Sequence, residues 1–138
     1  MKTPASIASL LDAEWLTRLA TILLTLPYWT SGFAKLFDFN GALAEASHFE
    51  LTPAWLVAIA TIIVQIGGSA LIIFGRQVWL GAGALGVFTA LATLIGHPFW
   101  RIDDPIARFH ERNTFLEHVG LIGRFIVVAV LFNRKERT

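Results

Sequence analysis

The chain of 138 residues contains no cysteine. Disulfide exchange, thiolate zinc sites and cysteine-held iron–sulfur clusters are therefore excluded for its own side chains. Charge is also scarce, with 15% of residues charged against 55% apolar and a mean hydropathy of +0.63. A soluble domain of this size needs a charged skin over its core, and this composition cannot supply one. The formal net charge is only +1, and no basic stripe remains outside the apolar runs, so nucleic acid is excluded as a partner. No cluster of ligating side chains suggests a metal.

What the chain does have is long apolar runs. Leu51 to Gly75 carries no charged residue, and neither does Gln77 to Trp100. About 20 apolar residues cross the hydrocarbon core as a helix, at about 1.5 Å per residue against about 30 Å of thickness. Two further segments are slightly interrupted: Leu19 to Ala34, bracketed by Arg18 and Lys35, and Phe115 to Phe132, which holds Glu117 and Arg124. The expected fold is one all-α domain over 1–138, an integral membrane four-helix bundle. Its spans are expected at about 15–37, 53–75, 77–97 and 114–132, with short amphipathic surface segments between helices 1–2 and 3–4. Asp12 and Glu14 precede the first run and no small-residue cleavage site follows it, so it reads as a retained span and not a cleaved leader.

Local signals set the boundaries. Thr3-Pro4 starts a short interfacial turn with Ile7, Leu10 and Leu11 on one side. Pro27 is expected to bend helix 1. Thr52 is the expected N-cap of helix 2, with Pro53 at the first helical position. Gly75-Arg76-Gln77 makes a tight turn between antiparallel helices 2 and 3, and Pro98 stops helix 3. Asp104-Pro105 opens a surface segment with Ile102, Ile106 and Phe109 on its apolar side, and helix 4 is expected from Thr114. The two halves share the rhythm of span, surface segment, span, though their residue identity is poor. Lys2, Arg18, Arg76, Arg134, Lys135 and Arg137 fall on one side, against Lys35, Arg101, Arg108 and Arg112 on the other. That bias puts both termini in the cytoplasm.

Helices in lipid associate through small and polar residues. Each span offers such a stripe: Thr21, Thr25, Tyr28, Ser31, Gly32 and Lys35; Ala58, Thr61, Gln65 and Gly68-Ser69; Gly86, Thr89, Thr93 and His97; Glu117, Gly120 and Arg124. Lys35, His97, Glu117 and His118 fall near the outer boundary, and Gln65 and Arg124 near the bilayer centre. A mid-depth arginine costs about 2.5–3.5 kcal/mol on insertion scales, so Arg124 is expected to face inward, with Gln65 or Tyr28 as partner. The simpler readings are that Lys35 and Arg18 snorkel, that His97 caps helix 3, that Gln65 joins helices, and that the five tryptophans, Trp100 included, form an aromatic belt.

Ser31-Gly32-Phe33-Ala34-Lys35-Leu36 followed by Phe39-Asn40-Gly41 resembles the Ser-Gly-x-x-Lys signature of the DoxX family. Gly67-Gly68, Phe74-Gly75-Arg76, His97-Pro98-Phe99-Trp100 and Asn113-x-Phe115-Leu116 are similar to that family as well, so that the resemblance covers about residues 15–132. DoxX-like sequences often carry an acidic residue where Gln65 stands, and an Asn and paired Gly where this chain has His118 and Gly123-Arg124. The resemblance implies a small four-helix inner-membrane protein. Some relatives are membrane subunits of quinone-reducing oxidoreductases such as thiosulfate:quinone oxidoreductase, and others are linked to oxidative-stress complexes.

Two functions rank almost equally on these grounds. One is a redox-linked subunit that binds quinone or relays protons, with Lys35, Gln65, His97, Trp100, Glu117, His118 and Arg124 as ligand-binding candidates, a partner redox subunit, and no assignable catalytic residue. Quinone is the one cofactor this reading admits; a b-type haem fits poorly, since only His97 and His118 share a depth. The other is a non-catalytic anchor or assembly partner. A small-solute or proton permease ranks lower, because four spans would require a homo-oligomer.

Overall fold

A computed structural model describes residues 3–136, and every described element is helical. Helix α1 (Ala5–Leu11) leads into α2 (Glu14–Phe37), followed by α3 (Phe39–His48), α4 (Ala54–Ile73), α5 (Val78–Gly96), a 3-10 turn (Phe99–Arg101) and α6 (Pro105–Glu136). Lys2 and Arg137, used in the orientation count, lie outside the described residues. Among the described residues, three stretches are long and apolar enough to cross a membrane: Ala54–Ile73, Val78–Arg101 and Pro105–Glu136. Helix α2 is 24 residues long, but Thr17, Thr21, Thr25, Pro27, Tyr28, Thr30 and Ser31 lower its apolarity.

The long helices pack in chain order, α2 on α4, α4 on α5 and α5 on α6, and α3 lies across α2 and α4. Glycine permits the closest approaches. A Cβ on Gly81 would stand 2.7 Å from the Gly68 carbonyl oxygen and 3.0 Å from Leu71 Cβ, and one on Gly32 would stand 2.7 Å from Ile66 Cγ1. These two places set the α4–α5 and α2–α4 separations, as small residues do where lipid supplies no hydrophobic drive between helices. At the α4–α5 turn Gly75 takes φ +68°, and Arg76 N–H donates to the Leu71 carbonyl at 3.0 Å, which is glycine's usual service at a helix end.

The core is small: Tyr28, Ile72, Val78, Ala82, Leu85 and Phe125. Among the buried polar residues are Thr21, Thr25, Gln65, Ser69, Thr89 and Thr93. Thr25, Ser69, Thr89 and Thr93 each donate to the carbonyl four residues earlier, so their hydroxyls face the interior with a partner already in hand. The polar stripes expected of the first three spans are thus turned inward.

Three boundary expectations change. Helix α4 begins at Ala54, and Pro53, in an extended conformation (ψ 133°), is its cap residue without a side-chain bond; Thr52 does not cap. The surface segment after Pro105 is not separate from the last span but forms its first turns. No Gly or Pro interrupts the chain between Pro105 and Gly120, so nothing breaks the helix. Asp104 starts it, as the sequence suggested, accepting from Ala107 N–H at 2.7 Å. The rhythm of the first half, where α3 is a distinct helix, is therefore not repeated in the second.

Candidate functional site

Helix α2 ends in Ser31-Gly32-Phe33-Ala34-Lys35, and each fixed residue has a local task. Gly32 lets α4 approach. Lys35, three residues on, reaches back to Ser31 Oγ at 3.0 Å and across to Glu45 Oε2 of α3 at 2.8 Å. Asp38 caps α3 by accepting from Gly41 N–H at 2.9 Å, and that fixes the helix that carries Glu45. The pair is asymmetric: the Lys35 side chain is 15% exposed and that of Glu45 53%.

Beside this pair a partly open cavity of about 440 Å³ lies between α3, α4 and α5. Ala46, Ala58, Phe88 and Ile95 represent its apolar walls, and Lys35, Glu45 and His97 are its charged or titratable lining. Its volume falls in the range of small-molecule sites, about 300–1,000 Å³.

His97 ends α5 and opens a polar line running inward. Its Nδ1 lies 2.7 Å from Glu111 Oε2. Its ring meets that of His118 edge-on at 4.9 Å, and His118 Nδ1 is 3.0 Å from Thr93 Oγ1. One turn deeper on α5, Thr89 Oγ1 shares a hydrogen bond with Tyr28 Oη at 2.5 Å. Two histidines with a carboxylate on the surface side can take up and release protons at the cavity edge. Among the described residues, no group of three or more His, Asp or Glu side chains could hold a metal.

The seven sequence candidates separate. Lys35 and His97 share the cavity, and His118 stands behind His97. Gln65 is buried below them at 5% exposure, and its Oε1 has no hydrogen-bond partner. Trp100 is outside the cavity lining, in an edge-on cluster with Phe99 and Phe115. Glu117 and Arg124 are exposed, which corrects the inward face expected for the last span. Phe125 is the buried residue of α6, and large apolar side chains, not the Glu117-Gly120-Arg124 stripe, face α5. Neither expected partner serves Arg124, since Tyr28 is engaged by Thr89 and Gln65 Oε1 by nothing. Glu45 and Glu111 were missed. Glu111 lies two turns before His118, a same-face spacing that signifies only once α6 is one helix.

Long apolar helices packed through glycine and inward hydroxyls define a multi-pass membrane protein. Residues 13–98, from the start of α2 to the end of α5, match the DoxX family, and the chain belongs to it. The match stops before α6. No curated protein and no solved structure matches the chain.

Proposed function

We propose that this DoxX protein is a membrane subunit that binds a quinone in the α3–α4–α5 cavity and exchanges protons with it through His97. The observation that carries this is the meeting of Lys35 and His97 on one apolar cavity. A quinone headgroup offers two carbonyl oxygens. Lys35 has three N–H donors, two of them engaged by Ser31 and Glu45, which leaves one for a carbonyl. With Nδ1–H donated to Glu111, which fixes the ring, the Nε2 of His97 donates to the second carbonyl when the imidazole is protonated and accepts from the hydroxyl of the reduced headgroup when it is neutral. Quinone reduction takes two electrons and two protons; a partner redox subunit would supply the electrons, and His97 with Glu111 is a route for protons. A purely anchoring role is the second reading, favoured by the uncovered outer face of α6.

Protein purified in mild detergent should carry ubiquinone or menaquinone in its lipid extract. Lys35→Ala and His97→Ala should each lose it while still eluting as the folded monodisperse species. Wild type without quinone, and without binding on add-back, would leave the anchor reading.

We also infer four crossings with both ends in the cytoplasm. Support for α2 as the fourth is its 24-residue length and the burial of Thr21, Thr25, Tyr28 and Gly32, which turns those hydroxyls away from lipid. In this cysteine-free chain, a cysteine at Ser6 should be shielded from an impermeant thiol reagent in intact cells, and one at Asn40 should be labelled. The opposite pattern would invert the topology and place the cavity on the cytoplasmic side.

A further inference from the structure

Helices α2 and α6 close the two ends of the array, yet no Cα of one lies within 8 Å of the other among the described residues. Their side chains meet at Tyr28 and Phe125, with ring centroids 5.4 Å apart. Below that contact a groove of about 720 Å³ opens between them, walled by residues such as Ala20, Leu24, Gly120, Gly123 and Val127, with Arg124 among them. A Cβ on Gly120 or Gly123 would meet nothing within 4 Å. Arg124 is exposed and makes no hydrogen bond or ion pair with a described residue. It stands about 12 Å from Phe132 and about 14 Å from Phe115 by helix rise, at the middle of the apolar stretch.

A lone cation at that depth calls for an anion, and depth restricts the source. Lipid headgroups lie a monolayer's thickness away. Within the four inferred crossings Glu117 is the one carboxylate, about 10 Å up the same helix from Arg124. A second copy in the same orientation would bring its own Glu117 no nearer in depth. From this geometry we propose that the α2–α6 groove docks a transmembrane helix of a different protein, one that presents an Asp or Glu at mid-bilayer to Arg124. Gly120, Gly123 and Ala20 supply the shallow wall that close helix approach requires. This reading is independent of what the α3–α4–α5 cavity binds.

The test uses the full chain with Ala20→Cys as its sole cysteine, reconstituted in liposomes with a synthetic Leu/Ala transmembrane peptide that carries one cysteine and a central Glu. Disulfide yield with that peptide should exceed the yield with a central Gln peptide about tenfold. Arg124→Leu should remove the preference and Arg124→Lys retain it. Gly120→Leu, which fills the groove and keeps the charge, should abolish crosslinking while the protein still elutes as a folded monodisperse species. Three results would each overturn the proposal: equal yields with Glu and Gln, an unchanged preference in Arg124→Leu, or a predominance of protein homodimers joined through the introduced cysteine, which would indicate a second copy.

Discussion

Replacing Gly81 with alanine should destabilise the bundle by about 3 kcal/mol, the upper part of the usual range for overpacking. The added methyl would meet the Gly68 carbonyl oxygen at 2.7 Å, Leu71 Cβ at 3.0 Å and Ile72 Cγ1 at 3.1 Å. The nearest of these is main chain and cannot rotate away, so α4 and α5 must separate along their length. Leu85 would lose its fit too, because it already packs over Gly68, where a Cβ would be 2.9 Å from Leu85 Cγ. Gly83→Ala is the matched control, with nothing within 4 Å of its new methyl and a gain in helix propensity. Thermal loss of the monodisperse species in detergent distinguishes the two. Equal midpoints for Gly81→Ala and Gly83→Ala would mean that this crossing does not limit stability.

The second large effect concerns the Lys35–Glu45 pair. Exchanging the charges, Lys35→Glu with Glu45→Lys, should leave the bundle folded, because opposite charges still face each other between α2 and α3. Quinone affinity should nevertheless fall at least tenfold. The mostly buried position beside the cavity would then carry an acceptor-only carboxylate, which repels a carbonyl oxygen, while the ammonium moves to the exposed position on α3. Lys35→Glu alone should be worse in both respects, since two carboxylates would share one site. Quinone titration of the reconstituted variants reads the affinity, and gel filtration reads the fold. Wild-type affinity in the double variant would reduce Lys35 to a partner for Glu45 and nothing more.

The parts of this architecture that were legible in the sequence are those that the bilayer dictates. Uncharged runs as long as Leu51–Gly75 and Gln77–Trp100 have few alternatives to spanning helices, and the hydroxyls of Thr21, Thr25, Ser69, Thr89 and Thr93 on α2, α4 and α5 turn inward. The same rule failed on α6. It assumes that every polar stripe finds its partner within the chain, and Glu117, Gly120 and Arg124 lie on a side no other helix covers. No break forms at Thr114, because polarity alone does not end a helix and Ile106 to Val119 contains no residue that stops one. The site was half legible. Lys35 and His97 stood out as polar residues at the ends of apolar spans, whereas the Glu45 and Glu111 contacts depend on how α3 and α6 fold back toward them, which no local spacing encodes.

The unbroken course of α6 joins two distant places mechanically. Glu111 and Arg124 belong to one rod and lie about 20 Å apart along it. A tilt of about 5° pivoting near Arg124 would displace Glu111 by about 1.7 Å over that length, enough to part it from His97, where the contact is 2.7 Å. His118, on the same rod but half as far from the pivot, would shift by about half as much against Thr93 and His97. A helix seated in the α2–α6 groove against Arg124 would therefore hold the fulcrum of a lever whose long end carries the Glu111–His97 contact at the cavity edge.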